Sequence, residues 1–99
     1  MIRLSRLLPE GVTAARIVET ARHHGAHNVR LFGSRVHGTA KDDSDIDLLV
    51  DFDAERDLFD LVELKQSLES LAGLKVDVLT ERALSPYMRD RVIREAVPL

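Results

Sequence analysis

A small mixed α/β (α+β) fold, a β-sheet covered by helices, is what this chain predicts, and three observations predict it. Apolar residues recur at helical spacing in three separate segments, they alternate with period two in shorter segments between, and Gly or Ser-Pro stands where one pattern gives way to the next. Elements that alternate in this way bury their apolar faces against one another in layers. The expected order is helix, strand, loop, strand, helix, strand, helix.

The first helix is expected from about Glu10 to His24, where Ala14, Ile17, Val18 and Ala21 fall at i, i+3, i+4 and i+7 and Gly25 stops the run. "NVRLFGS" follows as a short strand that ends at Gly33. From Asp45 to Asp53 the alternation is strict: Ile46, Leu48, Val50 and Phe52 point one way, and Asp45, Asp47, Leu49, Asp51 and Asp53 the other. A second amphipathic helix runs from Asp57 to Ala72, carrying Leu58, Leu61, Val62, Leu64, Leu68 and Leu71 on its buried side and stopped by Gly73. "KVDVLT" gives a second alternating strand. Ser85 as N-cap and Pro86 in the first turn open a last helix, with Met88, Val92, Ile93 and Ala96 as its buried stripe.

Bulk properties bound the function. With 99 residues, the chain is expected to form one domain over 1–99, in which residues 1–9 are an N-terminal extension open to partner binding. No stretch approaches the ~18 apolar residues of a membrane span. The start "MIRLSRLLPEG" has no apolar core of signal-peptide length and there is no cysteine, so a cytoplasmic location is expected. A net charge of −3 argues against a surface built to bind nucleic acid directly. A small anionic substrate remains compatible, because a bound metal can reverse the local field.

The chemistry lies in "FGSRVHGTAKDDSDIDLLV", Phe32 to Val50. Two carboxylates open a strand that is about to be buried, and ionised groups are almost never buried without compensation. Residues two apart on a strand share a face roughly 6.5–7 Å apart, so Asp45 and Asp47 can converge on one site. Asp77 sits on the later alternating strand; if the two strands are neighbours in register, three carboxylates meet. Such a set demands a counter-ion, and hard oxygen donors without cysteine select Mg²⁺ or Mn²⁺ over zinc. Gly33 supplies a tight turn and close ligand approach, and Ser34 offers a hydroxyl and adjacent amides to an anion. Phosphoryl-type chemistry with a divalent metal is the expectation.

The stretch resembles a known family at this point. "GSRVHGTAKDDSDID" fits the Gly-Ser, ten residues, Asp-x-Asp signature of the DNA polymerase beta-like nucleotidyltransferases, and Asp77 in "VDVL" stands where that family carries its third carboxylate. The chain's size, element order and the ending "ALSPYMRDRVIREAVPL" look like the minimal nucleotidyltransferases, antitoxins whose partner is a HEPN-domain ribonuclease. The resemblance implies the minimal, single-domain version of the polymerase-beta-like fold. It also implies that Gly33 and Ser34 hold the triphosphate of ATP, that Asp45 and Asp47 bind two Mg²⁺, and that Asp77 shares one metal and helps to deprotonate an acceptor hydroxyl. The implied reaction is transfer of AMP to a hydroxyl, a tyrosine of the HEPN toxin in the best-described outcome. The alternative is an antitoxin that binds and occludes the toxin without catalysis; transfer to a small hydroxylated compound is a third reading, disfavoured because a second substrate-binding domain is missing.

Other residues carry plainer expectations. Arg35 is placed either at a phosphate or in solvent. Asp51 and Asp53 are expected to be solvated, and Asp42 and Asp43 to be loop charge. His23, His24 and His27 are not expected to hold zinc, since Gly25 breaks the helix that would align them; His37 is a candidate nucleotide contact. Tyr87 is expected to pack at the start of the last helix, with internal acceptor as its other reading. Arg3, Arg6, Arg89, Arg91 and Arg94 form either solvated faces or a docking surface for an acidic patch.

Overall fold

The computed structural model describes residues 7–99. Helix α1 spans Ala14–His23, strand β1 Ala26–Phe32, helix α2 Ser34–His37, strand β2 Ile46–Phe52, helix α3 Leu58–Ala72, strand β3 Val76–Leu79, helix α4 Pro86–Glu95 and strand β4 Val97–Pro98, with a 3₁₀ turn at Glu81–Ala83. The expected order holds for the main elements, with the short helix α2 added in the expected loop and strand β4 added after the last helix. Helix α1 starts at Ala14, the first of its spaced apolar residues, rather than at about Glu10, because the Thr13 side chain caps it by accepting from the Arg16 amide. Helix α3 begins with a capping box, Asp57 and Asp60 each accepting from the other's backbone N–H. Ser85 caps α4 with Pro86 in its first turn.

The strands form one sheet in the order β3-β2-β1-β4. Strand β2 pairs antiparallel with β1 and parallel with β3, so α3 is the crossover between two parallel neighbours. The two-residue β4 pairs with β1 at Leu31 and Arg30; it is too short to show an alternation in the sequence. The main core joins Ile17 and Ala21 of α1 and Leu64 and Leu68 of α3 to Leu31, Ile46, Leu48, Val50 and Val76 of the sheet. Leu7 and Leu8 also lie in this core, so the described end of the expected extension is packed inward; residues 1–6 of that extension, with Arg3 and Arg6, lie outside the described residues.

Four expectations about burial need correction. Met88, placed on the buried stripe of α4, is 37% exposed. Leu49, assigned to the carboxylate face, is fully buried with Phe32, Leu84 and Val92, because α4 and the turn before it cover that face. Leu58 and Val62, assigned to the buried stripe of α3, are 70% and 45% exposed, and Phe59 is 79% exposed. A 15-residue helix is ~22 Å long and the four-residue β3 only ~13 Å, so the first turn of α3 overruns the strand it crosses to. Tyr87 does not pack: it is 99% exposed. Among the described residues no helix is long and apolar enough to cross a membrane.

Candidate functional site

Register brings the sequence-nominated residues to one end of the sheet. Asp47 is paired with Phe32 of β1 on one side and with Asp77 of β3 on the other. The chain leaves β1 at Phe32, turns at Gly33 and enters α2 at Ser34, so the Gly-Ser turn lies beside Asp47 as the neighbouring strand ends. Gly33 has φ 82° and ψ −152°, a backbone region that is essentially glycine's alone. A Cβ there would land on the Asp47 carboxylate. Glycine at 33 therefore answers both to the turn and to the close approach of that acid. The first amides of a helix have no intrahelical acceptor, and the Gly33 cap supplies no side chain to occupy those of α2.

Asp47 feels both of the other carboxylates. The Asp47 carboxyl is held above the usual carboxylate range, first by burial, then by the charges of Asp77 and Asp45 and a hydrogen bond with Asp77, while Lys75 pulls the other way. Two lysines stand beside the cluster, neither singled out by sequence reasoning: Lys65 Nζ is 3.6 Å from Asp77 Oδ1 and Lys75 Nζ is 3.8 Å from Asp45 Oδ2. Nothing in the spacing of these lysines marks them; one comes from the middle of α3 and the other from the loop before β3. Among the described residues no three His, Asp or Glu side chains converge closely enough to cage a metal ion as they stand. The donor chemistry nonetheless fits a hard divalent cation shared with substrate: carboxylate oxygens only, a burial-strained acid between two like charges, and nearest cations too distant for tight hydrogen-bonded pairs.

Other nominated residues are placed elsewhere. Arg35 is neither solvent-facing nor turned to the acids. It is buried, with Nη2 donating to the carbonyls of Ser44 at 2.7 Å and Asp42 at 3.3 Å. It braces the loop that delivers Asp45, since those carbonyls belong to the irregular backbone between α2 and β2 and need donors. His37 Nε2 lies 2.8 Å from a Glu95 carboxylate oxygen, bringing α2 against the end of α4. Asp51 is not simply solvated: it accepts from Asn28 Nδ2 at 3.0 Å and from the buried Arg30 at 3.2 Å, and Arg30 also reaches Glu81 at 3.5 Å. Asp53 lies 3.2 Å from His27 Nδ1, and His24 Nε2 lies 3.1 Å from Ser67 Oγ. Arg89 donates to the Glu81 and Leu84 carbonyls and so belongs to the packing of α4, whereas Arg91 and Arg94 are exposed.

Comparison with known proteins gives the family and the fold. The family model described as nucleotidyltransferase domain matches residues 15–99. The chain is 39% identical over 88 residues to the protein adenylyltransferase MntA of Thermococcus cleftensis, covering 89% of each protein. A solved chain provisionally named a minimal nucleotidyltransferase superposes with a TM-score of 0.76 at 47% identity, over 86% of this chain and 87% of that one. A chain from a toxin-antitoxin crystal structure with AMP-PNP superposes with a TM-score of 0.74 at 27% identity, over 88% of this chain and 72% of that one.

Proposed function

This chain belongs to the nucleotidyltransferase domain family and is a nucleotidyltransferase, and from that premise we propose that it transfers AMP from ATP to a hydroxyl, a tyrosine's, of a HEPN-type partner toxin and so acts as that toxin's antitoxin. The observation that carries this reading is the side-by-side register of Asp47 and Asp77, with the Gly33 turn held against the Asp47 carboxylate. Relatives support its finer parts: one is named a protein adenylyltransferase, and solved neighbours are toxin-antitoxin complexes, one with AMP-PNP.

In this reading the amides and hydroxyl at Gly33 and Ser34 receive the triphosphate at the β1 side of the site. Asp45, Asp47 and Asp77 would hold Mg²⁺, which when bound supplies charge neutralisation and Lewis-acid polarisation at the α-phosphate. The acceptor oxygen attacks the α-phosphorus, the bond to the bridging oxygen of the β-phosphate breaks, and pyrophosphate leaves in line. The Asp77 carboxylate takes the hydroxyl proton. Arg35 serves indirectly, by fixing the loop from which Asp45 projects.

The test is intact mass of a co-expressed HEPN-type partner incubated with this protein, ATP and Mg²⁺, beside the Asp45→Asn/Asp47→Asn variant. Each transfer should add one AMP, roughly 329 Da, and no addition should occur with the variant. No addition by the wild type, with full inhibition of the toxin by both forms, would replace the enzymatic reading with occlusion.

A further inference from the structure

Helix α3 carries two apolar stripes, and the core uses one of them. Leu64 and Leu68 are buried against the sheet, and Leu61 and Leu71 pack partly against the same core. Leu58, Phe59 and Val62 are exposed. At spacings of three and four residues, 59 to 62 and 58 to 62, they adjoin one another on the helix surface and make one patch over its first two turns. Contiguous apolar surface that a protein leaves in water marks an interaction site. This patch is edged by acids. Asp53, Glu55, Asp57, Asp60 and Glu63 all fall in the same stretch, and its one base, Arg56, is held by Asp60 at 3.3 Å. The capping box accounts for Asp57 and Asp60, whereas the exposed Glu55 and Glu63 stand outside it. The patch is also apart from the catalytic end. Helix α3 follows the last residue of β2, Phe52, while Asp45 and Asp47 stand at the start of that strand, and Asp47 and Phe52 are separated by roughly 17 Å of extended chain.

We infer that the first two turns of α3 are a docking surface for a helix of the partner toxin, one whose apolar stripe is edged by lysine or arginine; this rests on the reading above that the chain acts on such a partner. Apolar side chains of that helix pack across Leu58, Phe59 and Val62, helix against helix, and its cations face Glu55 and Glu63. The apolar anchors set the strength of the contact, and the charged rim sets the encounter rate and the choice of partner. The sign of the rim decides among occupants. Nucleic acid and an anionic membrane surface are repelled by it, and two copies of this chain meeting through the same face would set acids against acids. Because the surface lies away from Asp45 and Asp47, it tethers the partner without occupying the place of the acceptor hydroxyl.

The experiment uses the whole protein and an intact HEPN-type partner, with affinity measured by fluorescence titration at low and high salt and amide hydrogen exchange compared between the free protein and the complex. Exchange over residues 57–66 should slow in the complex. F59S/V62S should weaken binding about 30-fold or more, as loss of central apolar anchors does. E55K/E63K should weaken it about five- to tenfold at low salt and less at high salt. All four positions are exposed, matched melting curves show that each variant is folded, and AMP-PNP affinity should be unchanged in both. A complex that forms with unchanged exchange over 57–66, that F59S/V62S does not weaken, or that E55K/E63K forms as tightly as wild type at low salt overturns the inference and leaves the transfer reading standing. Sedimentation of the protein alone tests the other occupant: a wild-type dimer that F59S/V62S converts to monomer shows that a second copy covers this face, and overturns the inference as well. No complex with the partner removes the antitoxin reading and this inference with it.

Discussion

Replacing Gly33 with alanine adds one methyl group where the fold has no room for it. At φ 82° and ψ −152° an L-residue is held in a region that costs about 1–3 kcal/mol, and the new Cβ also meets the Asp47 carboxylate. That side chain must swing away, or β1 and β2 must part. Gly73 is the internal reference. It has φ 70° and ψ 15°, and a Cβ there meets nothing within 4 Å, so Gly73→Ala carries only the left-handed penalty of about 1 kcal/mol. Gly33→Ala is expected to exceed it by about 2 kcal/mol, or about 8–16 °C in Tm for a domain of this size. Denaturant unfolding of both variants, of Asp47→Ala and of Gly33→Ala/Asp47→Ala measures each part. Deleting the Asp47 side chain should relieve the collision and leave the backbone strain, giving a coupling of about 1 kcal/mol. Equal losses for the two glycine variants, with no coupling to Asp47, would refute the close approach on which the site is built. AMP transfer should be lost in Gly33→Ala and kept in Gly73→Ala.

Two further outcomes follow from the electrostatics and the loop. Because burial and the neighbouring acids raise the folded-state pKa of Asp47 above the ordinary carboxylate value of 3.8, its ionisation costs stability: the cost is absent below 3.8 and complete above the folded pKa. Asp47→Asn should therefore be more stable than wild type at pH 7, by about 1 kcal/mol or less given the partial exposure, while losing AMP transfer. That advantage should shrink as the pH falls toward 3.8; melting curves across pH check it, and a variant less stable than wild type at pH 7 contradicts it. Arg35→Met keeps the apolar stem and removes the donors to Asp42 and Ser44. A loss of about 1–2 kcal/mol is expected, with faster amide hydrogen exchange confined to residues 38–45; unchanged exchange there would show that the loop stands without this brace.

The sequence by itself determined the order of the main elements, the cap at Ser85, the strand phase that sets Asp45 and Asp47 on one face, and Gly33-Ser34 with Asp77 as the residues to follow. Local rules suffice for these, because helix spacing, strand alternation and cap chemistry act within a few residues. Tertiary structure alone decided which faces were covered. Leu49 shares the phase of the acids but is buried under α4, Leu58 shares the phase of the core but overruns the sheet, and Tyr87 opens a helix without packing on it. Burial depends on what lies opposite, and no periodicity encodes that. Arg35 and Arg30 were misread or missed because their partners are loop carbonyls and an acid 21 residues away. The lysines beside the acids were invisible for the same reason: strand pairing, acting over long separations, put Asp77 next to Asp47 and carried α3 and its Lys65 to the same edge.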